Sequence, residues 1–286
     1  MLPADIISPS VSLHTLLTGW QTDPLSLVSL AIELGLVAWY LLAVRRLAAH
    51  GRRWPVARTV GFVSGVALIV IAVQSGLAAY DDEVFWMHVI QHLLLMNFAP
   101  ILLAVSAPVT LALQSSRRRI QRLLLAVLHH PVVEFVTHPL VVVVAAYGTM
   151  LVYFLSPFYN FSVEHPLIQD LTHLHFLVSG CLFWWLVVGR DPSRWRLSYP
   201  VKLGFLAAGI PVNAILGVSL TGATASIAPA FHTLGDTHVG GSVLWVVGEL
   251  TTLVAMGIIL FQWMQFEERE AIRADRRTAA EVTSSS

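Results

Sequence analysis

Residues 86–112 read WMHVIQHLLLMNFAPILLAVSAPVTLA, a run with no charged side chain. Asp81, Asp82 and Glu83 precede it; Arg117, Arg118, Arg119 and Arg122 follow it. A bilayer core takes roughly 20 apolar residues per helical crossing, so the run is long enough to span. Hydrocarbon offers no partner to backbone polar groups, which leaves a helix or a closed barrel. A barrel strand alternates over about ten residues, and this stretch does not alternate.

Six further runs share the pattern: 25–44, 59–79, 138–156, 172–189, 203–220 and 239–262. The chain is 56% hydrophobic and 12% charged, with a mean hydropathy of +0.71. A soluble domain carries about 25% charged residues. The expected fold is therefore an all-α membrane protein, a bundle of seven transmembrane helices. Residues 1–24 form a short extracytoplasmic segment, 25–266 the membrane domain, and 267–286 a charged cytoplasmic tail whose Ser-rich end is expected to be disordered.

The seventeen Lys and Arg residues fall in four clusters: 45–58, 117–122, 190–202 and 269–277. The loops between them carry no base. Cationic loops stay on the cytoplasmic side, so the N-terminus is expected outside and the C-terminus inside. The zero net charge hides an asymmetry: net +10 on the basic side, and eight acids without a base on the other. That pattern is a topology signal and gives no support to nucleic-acid binding; the acidic face attracts cations. Residues 1–24 have no basic region ahead of an apolar stretch, so no cleavable signal peptide is expected. Cys181 is the lone cysteine, which excludes an intramolecular disulfide.

Histidines gather at the outer ends of the odd-numbered runs. His88 and His92 open the third, His173 and His175 the fifth, and His232 and His238 flank the start of the seventh with Asp236 between them. The i, i+4 spacing of His88 and His92 puts both imidazoles on one helical face, where they can share a metal ion. Met96 continues that stripe at i+8. His173 is the first choice for a third ligand, with Asp236 or His238 assisting. Imidazole suits copper and zinc, and a thioether adds a preference for Cu(I). His175 faces elsewhere, two residues from His173. One objection is electrostatic: three helices point their positive N-terminal ends at the proposed cation. The nearby acids can offset that field, yet Asp82, Asp170 and Asp236 are also placed to cap helices.

Pro100, Pro108 and Pro211 are expected to kink their helices. Gln91, Asn97 and Asn213 are expected to hydrogen-bond between helices, and Glu33 and Glu249 lie inside runs.

With these residues in view, the chain resembles the CtaG family of cytochrome c oxidase assembly proteins, the seven-helix membrane type. The resemblance rests on His88-Val-Ile-Gln91-His92 through Met96, on Ala99-Pro100 and Ala107-Pro108, and on Thr137-His138-Pro139. It extends to His173 with Gly180 and Phe183-Trp184-Trp185, and to Asp236 with Gly240-Gly241 and Leu244-Trp245. Asn97, His238, Val247 and Glu249 depart from the family pattern. The resemblance implies a non-catalytic assembly factor of a bacterial plasma membrane, with oxidase subunits, membrane lipid and a transient copper ion as partners. The residues themselves also admit an intramembrane zinc hydrolase or a b-type haem carrier.

Overall fold

The computed structural model describes residues 14, 18–80 and 83–285, without side chains at 275 and 278–285. From Pro24 onward ten helices follow one another, with no strand among the described residues: α1 (Pro24–Ala49), α2 (Val56–Ala79), α3 (Phe85–Ser115), α4 (Arg118–Leu128), α5 (Pro131–Val136), α6 (Pro139–Leu155), α7 (Phe158–Val163), α8 (Pro166–Val188), α9 (Tyr199–Thr221) and α10 (Leu234–Ser285).

Six of them, α1, α2, α3, α8, α9 and α10, are long and apolar enough to cross a membrane, which makes this a multi-pass membrane protein. The expected run at 138–156 is helical as α6, but shorter than those six. Its 17 residues reach about 25 Å, less than the roughly 30 Å hydrocarbon core. α10 continues through the charged tail to Ser285.

α3 is the axis of the bundle. It packs against α1, α2, α8 and α10, while α9 lies along α10. Its path is broken twice. A π-helical turn over Leu94–Phe98 precedes Pro100, and Ala107 takes a left-handed conformation (φ 52°) before Pro108. Proline cannot donate a backbone hydrogen bond and crowds the preceding turn, which accounts for the second break. Other elements satisfy the polar groups freed there. Tyr40 Oη donates to the Ser106 carbonyl at 2.9 Å. The Asp191 carboxylate accepts the Val109 and Thr110 amides at 3.1 and 2.6 Å. Buried backbone groups without partners are costly, so these contacts fix the break in place. Pro211 likewise follows an interruption, at Ala208 in α9.

One helix start differs from expectation. α8 begins at Pro166 with His165 at its cap, so Asp170 lies inside the helix and does not cap it. Asp81 and Asp82, also read as caps, lie outside the described residues. The expected interhelical bonds are present at two positions. Gln91 Nε2 donates to the Ala72 carbonyl at 3.0 Å, joining α3 to α2. Asn213 Nδ2 lies 3.4 Å from Glu249 Oε2, between α9 and α10.

Candidate metal centre

His88 and His92 sit one turn apart near the start of α3, and His173 lies two turns into α8. These helices approach closely because residue 180 is glycine. A Cβ there would stand 2.5 Å from the Met96 carbonyl oxygen, which leaves no room for a side chain. Small residues at such crossings let membrane helices pack backbone to backbone. Gly180 is two turns from His173, so the contact sets the spacing of the histidines.

All three imidazoles are buried. Their ring centroids are 4.3 Å apart for His88 and His92, 5.6 Å for His88 and His173, and 5.4 Å for His92 and His173. One nitrogen from each ring lies within 4.8 Å of the others. Nitrogens bound to a common ion at about 2.0–2.1 Å stand roughly 3.5 Å apart, so small ring rotations close the gap. His92 Nε2 is buried with no hydrogen-bond partner. An unsatisfied buried polar nitrogen costs about 1–3 kcal/mol, and a metal ion would remove that cost. The chemistry and geometry of the three donors therefore fit a copper or zinc ion.

Aromatic rings wall the cluster. Phe176 lies 4.5 Å from His92, and Tyr159 lies edge-on to His88 at 5.1 Å. Tyr153 Oη is 3.2 Å from His88 Nε2 and 3.0 Å from Ser162 Oγ, which in turn donates to the Tyr159 carbonyl at 2.8 Å. Tyr159 Oη is 2.8 Å from His232 Nε2, and His232 Nδ1 is 3.7 Å from Asp236 Oδ2. A hydrogen bond on one ring nitrogen orients the other for a metal, so Tyr153 is a positioning residue for His88.

Of the six residues singled out as metal ligands, the structure brings His88, His92 and His173 together. Asp236 is turned to another helix. Its carboxylate accepts the Phe85 amide at 2.5 Å and the Trp86 amide at 3.2 Å, closing the first turn of α3. Its own helix is capped by Thr233, whose hydroxyl accepts the Asp236 amide at 3.1 Å. Gly240, one turn further, admits the Phe85 ring: a Cβ there would lie 2.3 Å from it. His238 Nε2 is 2.9 Å from the Ala223 carbonyl oxygen. Met96 lies in the π turn, which displaces the simple i+8 alignment. It lines a cavity of about 30 Å³ with Asn97, Tyr147, Asn213 and Thr252. His175 Nε2 bonds Thr149 Oγ1 at 3.0 Å, facing away from His173 as its spacing requires.

Tyr153, Ser162 and Tyr159 were not legible as site residues. Each lies far from His88 in sequence, and none belongs to a spaced pattern. The recurrence of Tyr and Ser beside a loop is the only signal they carry.

The chain is 29% identical to an uncharacterised protein of Mycobacterium leprae, over 91% of this chain and 41% of that protein. It is 30% identical to uncharacterised proteins of Mycobacterium bovis and Mycobacterium tuberculosis, again over 91% of this chain, and over 42% of each. It thus spans about two fifths of the length of these relatives. No solved structure matches. Residues 38–265 match the family described as cytochrome c oxidase caa3 assembly factor, a stretch that contains α3, α8 and all three clustered histidines. The chain belongs to the cytochrome c oxidase caa3 assembly factor family.

Proposed function

We propose that this protein is an assembly factor for cytochrome c oxidase that holds a copper ion transiently at His88, His92 and His173 and passes it to the oxidase on the extracytoplasmic side. The observation that carries this reading is the convergence of three buried imidazoles from two helices within 4.8 Å. Three neutral nitrogen donors leave an ion short of a closed shell, which suits cargo that must leave again. The same reading has α6 crossing as a seventh helix, the N-terminus outside, and the basic clusters cytoplasmic.

The electrostatic objection has an answer in the site. A helix N-terminus carries about half a positive charge, and His88 lies in the first turn of α3. The Asp236 carboxylate accepts hydrogen bonds from that turn and offsets the charge beside the cation. Asp236 therefore serves the ion as a counter-charge held on α3.

A strain lacking the protein tests the role. In copper-poor medium it loses oxidase activity, and the wild-type gene restores it. A gene carrying His88→Ala, His92→Ala and His173→Ala fails to restore it, while the variant protein reaches the membrane in normal amount. Full oxidase activity with the triple variant contradicts the reading.

A further inference from the structure

At the opposite end of the bundle from the histidines, a groove of about 710 Å³ runs between α3, α8, α9 and α10. Its size is that of a site for a sizeable ligand, which takes about 300–1,000 Å³. Ile101 and Val105 of α3, Val187 of α8, and Val254 and Ile258 of α10 supply apolar walls. One end is different. Arg190, just past α8, and Arg269 of α10 both line it, with Tyr199 beside them. Lys202 Nζ stands 5.7 Å from the Tyr199 ring centroid and adds a third positive charge close by. Residues 247 and 269, both on the groove wall, are separated by about 33 Å of helix.

We infer that this groove binds an acidic phospholipid, its phosphate on Arg190 and Arg269 and an acyl chain along the apolar walls. Apolar walls between membrane-spanning helices favour an acyl chain over water. Guanidinium groups match phosphate oxygens in pairs, which a zwitterionic headgroup with its own ammonium satisfies less well. Basic pockets between membrane helices recognise acidic headgroups for this reason. A helix of a partner protein, about 10 Å across, occupies roughly 2,600 Å³ over the same length, more than the groove offers. The inference is independent of the metal site, which lies at the other end of α3.

Native mass spectrometry of the full chain, exchanged into phosphatidylcholine discs containing phosphatidylglycerol of the same chain length, tests it. The wild type retains phosphatidylglycerol in preference to phosphatidylcholine. The Arg190→Gln, Arg269→Gln double variant retains it about tenfold less or weaker still. A matched charge change outside the groove, Arg45→Gln with Arg46→Gln, leaves retention at the wild-type level. Ala255→Trp, which fills the groove and keeps its arginines, also abolishes retention. Equal retention of the two lipids by wild type, equal losses in both charge variants, or retention that survives Ala255→Trp each overturns the inference. Recovery of a tightly bound membrane-helix peptide in place of lipid does so too.

Discussion

The Asp236 carboxylate accepts the Phe85 amide at 2.5 Å, so the first turn of α10 closes the first turn of α3, three residues before His88. The starts of two helices beside the histidines are thereby locked in register. A second carboxylate does the same at the far break of α3, where Asp191 accepts the Val109 and Thr110 amides. The helix that carries two of the three histidines is held at two sets of free backbone amides by acids from other parts of the chain.

Removing the Asp236 lock separates packing from charge. Asp236→Ala leaves two buried amides without an acceptor and lowers stability by about 1–3 kcal/mol. Asp236→Asn keeps an acceptor but loses the charge. It is closer to wild type in thermal unfolding, yet its Cu(I) affinity falls by about tenfold through the uncompensated helix end. Unfolding in detergent and a competitive Cu(I) titration read the two effects. Equal Cu(I) affinity of Asp236→Asn and wild type contradicts the counter-charge role.

Gly180 controls the spacing between α3 and α8. Gly180→Val places atoms where the Met96 backbone already stands, so the helices must part. Overpacking of this kind costs about 1–3 kcal/mol. The histidines remain in the chain, but His173 moves away from His88 and His92. Copper binding falls although no ligand has been changed, and a titration that finds wild-type affinity contradicts the packing argument.

Tyr153→Phe removes one hydroxyl and preserves the ring. The bonds to His88 Nε2 and Ser162 Oγ are lost, while the aromatic wall stays. Loss of such an orienting partner weakens metal affinity by about 10–100-fold with the fold retained. Affinity unchanged within error, in a protein with a normal melting profile, would show that Tyr153 only packs.

Asp191, outside the spanning helices, gives a pH signature. Burial raises its carboxyl above the ordinary 3.8, against the opposing pull of its bonds to Thr110 and Val109. The folded state then holds the proton more tightly than the unfolded chain. Its stability contribution is greatest below the ordinary carboxylate value, falls as pH rises through the folded-state value, and is flat above it. Asp191→Asn removes that slope while keeping an acceptor. Melting profiles of both proteins across the acid range check it, and parallel profiles contradict it.

Much of this arrangement could be read in the chain. The chargeless run at 86–112 announced α3, and the i, i+4 spacing of His88 and His92 placed two imidazoles on one face. His173 followed as the first histidine of a second apolar run. The rest depends on contacts no spacing encodes. Tyr153 meets His88 across 65 residues, and His232 meets Tyr159 across 73. Asp236 stands in the sequence position of a cap, but the helix it caps is not its own. Met96 lost its place in the stripe to a π turn, which no proline or glycine inside that turn marks. The run at 138–156 carried the composition of a span, but its helix is bounded by Pro139 and by Ser156, leaving it short.

The central claim concerns three nitrogens and one ion. X-ray absorption on the purified, Cu(I)-loaded protein measures them directly. One bound copper per chain, with a nitrogen shell at about 2.0 Å that disappears together with the copper in the His88→Ala, His92→Ala, His173→Ala variant, is the expected result. Copper bound with the same stoichiometry and the same shell in that variant would contradict the account.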